Sequence, residues 1–113
     1  MTNGVHEHKS IVPVTPAVNI VETPVAFVVT LDIPGAAKER IKANIENNTL
    51  AVIADVVETA SSGADSPVKQ YRREFALASD IEINSVEAQY ELGVLTITLK
   101  KKQQYVPTQI HIN

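Results

Sequence analysis

The chain has 113 residues, 44% of them hydrophobic, with ten lysines and arginines against thirteen aspartates and glutamates, and neither cysteine nor tryptophan. This length supports one domain on a single core, and the lack of cysteine excludes disulfides and thiol chemistry. The acidic balance, formally −3, argues against nucleic acid as a main partner, because tracking phosphates needs clustered basic side chains.

Residues Met1 to Pro16 are polar and aperiodic and read as a flexible N-terminal arm. No basic segment followed by an apolar one opens the chain, and no apolar stretch approaches the ~20 residues that cross a bilayer. A cytoplasmic location with no membrane partner is therefore expected. His6-Glu7-His8 places two histidines on that arm without a fixed third ligand, so a solvated tail is expected rather than a metal site.

Segments with strand character follow, and the low aromatic content calls for a core of Val, Ile, Leu and Ala. Ala17 to Glu22 is short. Val25 to Ile33 alternates, with Phe27, Val29, Leu31 and Ile33 on one face. Asp32-Ile-Pro-Gly35 stops it, since proline cannot donate to a ladder and glycine permits reversal. Ala36 to Arg40 is expected to form a single helical turn. Ile41 to Glu46 alternates again, and Asn47-Asn48 turns the chain into Thr49 to Val57, with Leu50, Val52, Ala54 and Val56 on one face.

Glu58 to Pro67 is small and polar, a loop, and Val68 to Leu77 is strand-like. Val86 to Tyr90 and Val94 to Leu99 form a closing hairpin. The basic run Lys100 to Lys102 reads as a solvated strand end. Short strands with frequent turn signals predict an all-β, antiparallel sandwich.

The ending Ile110-His-Ile112-Asn113 is an isoleucine pair on a polar tail. Soluble chains seldom leave such a pair at a free end without a groove to receive it. The eleven residues from Leu99 to Ile110 can span about 36 Å, enough to reach a neighbouring subunit. The pattern points to self-assembly. Neither G-x-S-x-G, nor a P-loop, nor H-E-x-x-H is present, and the three histidines lie near the termini, so no enzyme, metal or cofactor is expected.

Taken together, the residues resemble the α-crystallin domain of the small heat-shock proteins, from Pro16 to Lys100 plus the tail. The most specific element is Ala88-x-x-x-x-Gly93-Val94-Leu95, similar to the family's A-x-x-x-n-G-V-L signature. Leu31-Asp32-Ile33-Pro34-Gly35 with Lys38-Glu39-x-Ile41-Lys42, Asn48-Thr-Leu50-x-Val52, Arg73-x-Phe75-x-Leu77 and Ile110-x-Ile112 match further family segments in order. The resemblance implies an immunoglobulin-like sandwich over 17–100, between an arm at 1–16 and a tail at 101–113.

It also implies an ATP-independent holdase that binds non-native clients and assembles through its tail from dimers, with larger homo-oligomers expected. The receiving groove would lie between the Ile41–Ile45 and Val86–Tyr90 strands, with Ile41, Ala43, Ile45, Val86 and Ala88 as candidate lining residues, some of which must instead face the core. Val12-Pro13-Val14 resembles a second copy of the tail motif, so Val12 and Val14 are candidate competing ligands. Arg73 matches a family arginine on a strand often found at the dimer interface, where it either pairs across subunits or is solvated.

Three departures from the family pattern stand out. Leu92 replaces the usual asparagine, which predicts a different turn or a bulge at Gly93. The loop before Tyr71 is short, although it normally carries a strand swapped into a partner. The arm is short as well, which leaves room for a longer-armed paralogue as partner. A co-chaperone adaptor of the CS type, docking on one folded partner, is the alternative reading.

Overall fold

The computed structural model describes residues 11–56, 68–103 and 110–112. Among them are eight strands: β1 (Ile11–Val14), β2 (Val18–Glu22), β3 (Ala26–Asp32), β4 (Ala36–Glu46), β5 (Thr49–Val56), β6 (Val68–Ala76), β7 (Ile81–Glu91) and β8 (Val94–Lys101). They form two four-stranded sheets, ordered β1-β6-β5-β4 and β2-β3-β8-β7. Every pairing is antiparallel except β1 on β6.

Alternation explains how the sheets meet. In one sheet Leu31 lies opposite Leu95, and Val29 opposite Ile97. In the other, Leu50 lies opposite Phe75, and Val52 and Ala54 follow on the same phase. Leu31, Ile33, Leu50, Val52, Ala54, Ile97 and Leu99 are all at most 1% exposed, and no polar or charged side chain among the described residues is buried. The apolar phases of the two sheets therefore close a dry core, as in other aligned sandwiches.

The β4–β5 and β7–β8 hairpins turn through two-residue loops. Asn47 and Asn48 take φ of 54° and 59° between paired Glu46 and Thr49, as the asparagine pair leads one to expect. At β7–β8 the structure corrects the sequence reading. Leu92 itself adopts φ 53° and Gly93 φ 81°, in a tight turn between paired Glu91 and Val94. Leucine there costs roughly 1–2 kcal/mol relative to its ordinary backbone region.

That turn is held against the crossing from β3 to β4. The Ile33 amide donates to the Gly93 carbonyl at 2.8 Å. The Tyr90 hydroxyl lies 2.9 Å from the Ala36 carbonyl and 3.1 Å from that of Ile33, and the Tyr71 hydroxyl donates to the Pro34 carbonyl at 2.8 Å. One tyrosine comes from each sheet, so residues 33–36 are pinned from both sides where the chain changes sheets.

Three further expectations are corrected. Ala36 to Arg40 is not a helical turn but the first half of β4, with a register irregularity between Ala36 and Ile41; Ala36 is buried and paired with Val56, and this packing overrides the local helical composition. Ile11–Val14, read as part of a flexible arm, forms β1 on β6. Strand β7 begins at Ile81 rather than Val86, with a second irregularity between those residues. The loop at 58–67 lies outside the described residues.

Candidate functional site

Strands β4 and β7 are the terminal strands of their sheets on the same side of the sandwich, and the inward positions of both follow one pattern. On β4 they are Ile41, Ala43 and Ile45, opposite Ala54, Val52 and Leu50. On β7 they are Val86, Ala88 and Tyr90, opposite Leu99, Ile97 and Leu95. Each triplet has a large side chain at either end and alanine in the middle. The sandwich cannot close at the two alanines, and a groove of about 440 Å³ opens, lined by Ala43, Asn44, Ile45, Leu50, Ile83, Val86, Ala88 and Ile97.

Four of the five residues expected from the sequence thus meet in one groove. Ile41 does not; it is half-buried against the core beyond the groove's end. The floor consists of Leu50 and Ile97, each 1% exposed, so the groove shares its base with the hydrophobic core. Sequence reasoning missed Ile83, because the two polar residues after it, Asn84 and Ser85, break the alternation that marks a strand. It missed Leu50 and Ile97 because both already read as ordinary core.

Ile110 and Ile112 are 80% and 85% exposed, so the tail does not bury them on its own sandwich. Two residues apart on an extended chain, they project from one side about 7 Å apart, a spacing suited to adjoining positions in a single groove. The groove can offer apolar contact, small alanine walls and two sheet edges with unpaired backbone groups. It presents no constellation for bond-making chemistry. No cluster of three or more potential metal-ligating side chains occurs among the described residues, and His6 and His8 lie outside them.

Val12 and Val14 lie elsewhere. They sit on β1, opposite Lys69 and Tyr71, at the edge farthest from β4. Arg73 lies on β6 opposite inward-facing Val52. It is half-buried, its guanidinium carbon is 5.5 Å from the centre of the Phe75 ring, and its Nε is shielded from water without a hydrogen-bond partner among the described residues. Strand β1 pairs with Val68 through Tyr71 and stops short of Arg73, which leaves the arginine's stretch of β6 uncovered by β1.

A model of the Hsp20/alpha crystallin family matches residues 19–113. The chain is 35% identical over 81 residues to a 15.4 kDa class V heat shock protein of Arabidopsis thaliana, covering 72% of this chain and 60% of that protein. It is 33% identical over 95 residues to a 16.9 kDa class I heat shock protein of Triticum aestivum, covering 76% and 62%. The chain thus spans about three fifths of the length of these curated relatives. Among solved structures, a small heat-shock protein from Xylella fastidiosa, described as having a distinct high order structure, superposes with a TM-score of 0.69 at 25% identity, over 88% of this chain and 96% of that one. Heat shock protein 16.0 from Schizosaccharomyces pombe shares the fold, with a TM-score of 0.68 at 21% identity over 89% and 77%.

Proposed function

The chain belongs to the Hsp20/alpha crystallin family, and from that premise we propose that it is an ATP-independent holdase assembling through its tail in the β4–β7 groove. The observation that carries the assembly reading is the pairing of two solvent-exposed isoleucines with a groove whose inward alanines make room for them. The holdase would act in the cytoplasm by mass action. A partner that binds non-native chains competes with their self-association and needs no chemical step.

The energetics suit a reversible assembly. Burying both isoleucines contributes on the order of 3–6 kcal/mol gross, and ordering of the tail removes part of it. A single tail contact is therefore weak and exchangeable, while several in one assembly become durable through effective concentration. Dimers are the expected building block. Arg73, whose shielded Nε is unanswered among the described residues, is the proposed interface residue on β6, where a carboxylate from a second subunit would complete its hydrogen bonding. A longer-armed paralogue remains a proposed co-assembly partner.

Two variants test tail and groove separately by native mass across a concentration series. The pair Ile110→Ser, Ile112→Ser removes the ligand, and Ala88→Arg fills the groove. Both are expected to shift a large, concentration-dependent assembly toward smaller species built from dimers, and the Ile→Ser pair is expected to keep its fold, because those side chains are exposed on their own subunit. Dimers in the unaltered chain as well as in both variants would overturn tail-driven assembly. A monomer throughout would favour the adaptor reading. Holdase action is read by the scattering of a heat-aggregating client without nucleotide. Suppression at stoichiometric ratios is expected, and its absence would reject that role.

A further inference from the structure

Leu92 is anomalous on two counts. It is 95% exposed, and it stands in the left-handed region at φ 53°, where leucine is strained and asparagine or glycine would be at ease. No packing among the described residues offsets the strain. A side chain both strained and bare is accounted for when it packs on something outside its own subunit.

A receptor of matching chemistry lies at the other end of the sandwich. An apolar hollow of about 200 Å³ opens between the sheets, lined by residues including Ile20, Phe27, Phe75, Ile81 and Leu99. That exceeds the roughly 150 Å³ of an apolar cavity able to hold a benzene ring, so a leucine side chain fits. Val94, next to the tip, and Leu99, beside the hollow, lie near opposite ends of β8. A subunit therefore cannot place its own Leu92 in its own hollow. Asp32 and Glu91 flank Val94 just below the tip, whereas at the hollow's end Lys101 is held by Glu22 at 2.6 Å and Lys100 by Glu87 at 3.5 Å within the subunit, so the fit of tip to hollow is one of apolar shape.

We propose that Leu92 of one subunit inserts into the Phe27–Phe75 hollow of a second copy of this chain. Knob and hollow are different surfaces, so the contact is heterologous and propagates head to tail until a ring closes. It is separate from the tail and groove, and its test removes their contribution.

The experiment is sedimentation velocity over a concentration series, on full chains in an Ile110→Ser, Ile112→Ser background. Leu92→Asn removes the knob and relieves the strain, and Ile20→Glu places a carboxylate at the rim of the hollow, at a half-exposed edge position. Each is expected to weaken self-association at least tenfold, while Leu92→Asn raises the thermal midpoint, so that loss of association cannot be ascribed to misfolding. Mixing the two variants restores one intact knob and one intact hollow, and a species larger than either variant forms alone is expected. An unchanged mass profile for Leu92→Asn, or a mixture no larger than its components, would overturn the proposal.

Discussion

Replacing Gly93 by alanine is expected to destabilise the fold by about 2–3 kcal/mol, more than its place in an exposed hairpin suggests. The left-handed backbone alone costs a non-glycine residue roughly 1–2 kcal/mol. In addition, a Cβ at this position would sit 3.3 Å from the Pro34 Cα and 3.5 Å from its Cβ. Pro34 has little freedom to yield, because the carbonyls of Ile33, Pro34 and Ala36 are tied to Tyr90 and Tyr71. The clash is thus transmitted into the crossing between the sheets. Urea unfolding of Gly93→Ala, Tyr90→Phe and the double variant gives the measurement. Because Tyr90 holds the segment that Gly93 approaches, the two losses should fall short of additivity by about 0.5 kcal/mol or more. A Gly93→Ala loss below 1 kcal/mol would mean that the Pro34 segment yields after all.

The same turn shows what a sequence reveals and what it withholds. Alternation found β3, β5, β6, β8 and the later halves of β4 and β7, because each has one face in the core and one in solvent. It failed where a strand lies at an edge or bends. Ile11–Val14 is short, contains Pro13 and is largely exposed, so its pairing with β6 depends on a partner strand that local pattern does not show. Ala36 to Arg40 has helix-favouring composition, yet burial of Ala36 and pairing to Val56 decide its state. Leu92 violates a turn preference that the hairpin register enforces regardless.

The groove was half legible for a related reason. Period-two alternation put Ile41, Ala43 and Ile45 on one face of their strand, and Val86 and Ala88 came from the family resemblance alone, because alternation does not say which strands end up at sheet edges. That is topological, and only the order β1-β6-β5-β4 beside β2-β3-β8-β7 makes β4 and β7 neighbours across the sandwich. The resemblance to the small heat-shock family supplied the pairing that local pattern lacked. The floor stayed hidden because Leu50 and Ile97 serve core and groove together.

That double service sets the largest expected effect on stability and site together. Ile97→Ala should cost about 3–4 kcal/mol, toward the upper part of the 2–5 kcal/mol range for buried isoleucine truncations, because the side chain is 1% exposed amid strands that cannot collapse around it. Leu31→Ala, fully buried and not part of the groove lining, should cost a similar ~3–5 kcal/mol and serves as the control for stability alone. Native mass measured well below both thermal midpoints separates the roles. Leu31→Ala should assemble as the unaltered chain does, since its tail, alanine walls and groove floor are intact. Ile97→Ala should populate smaller species at the same concentration, because the tail isoleucines lose the contact surface at the base of the groove. If the two variants assembled alike while equally destabilised, the floor would carry no share of tail binding, and affinity would have to come from the walls and the sheet edges.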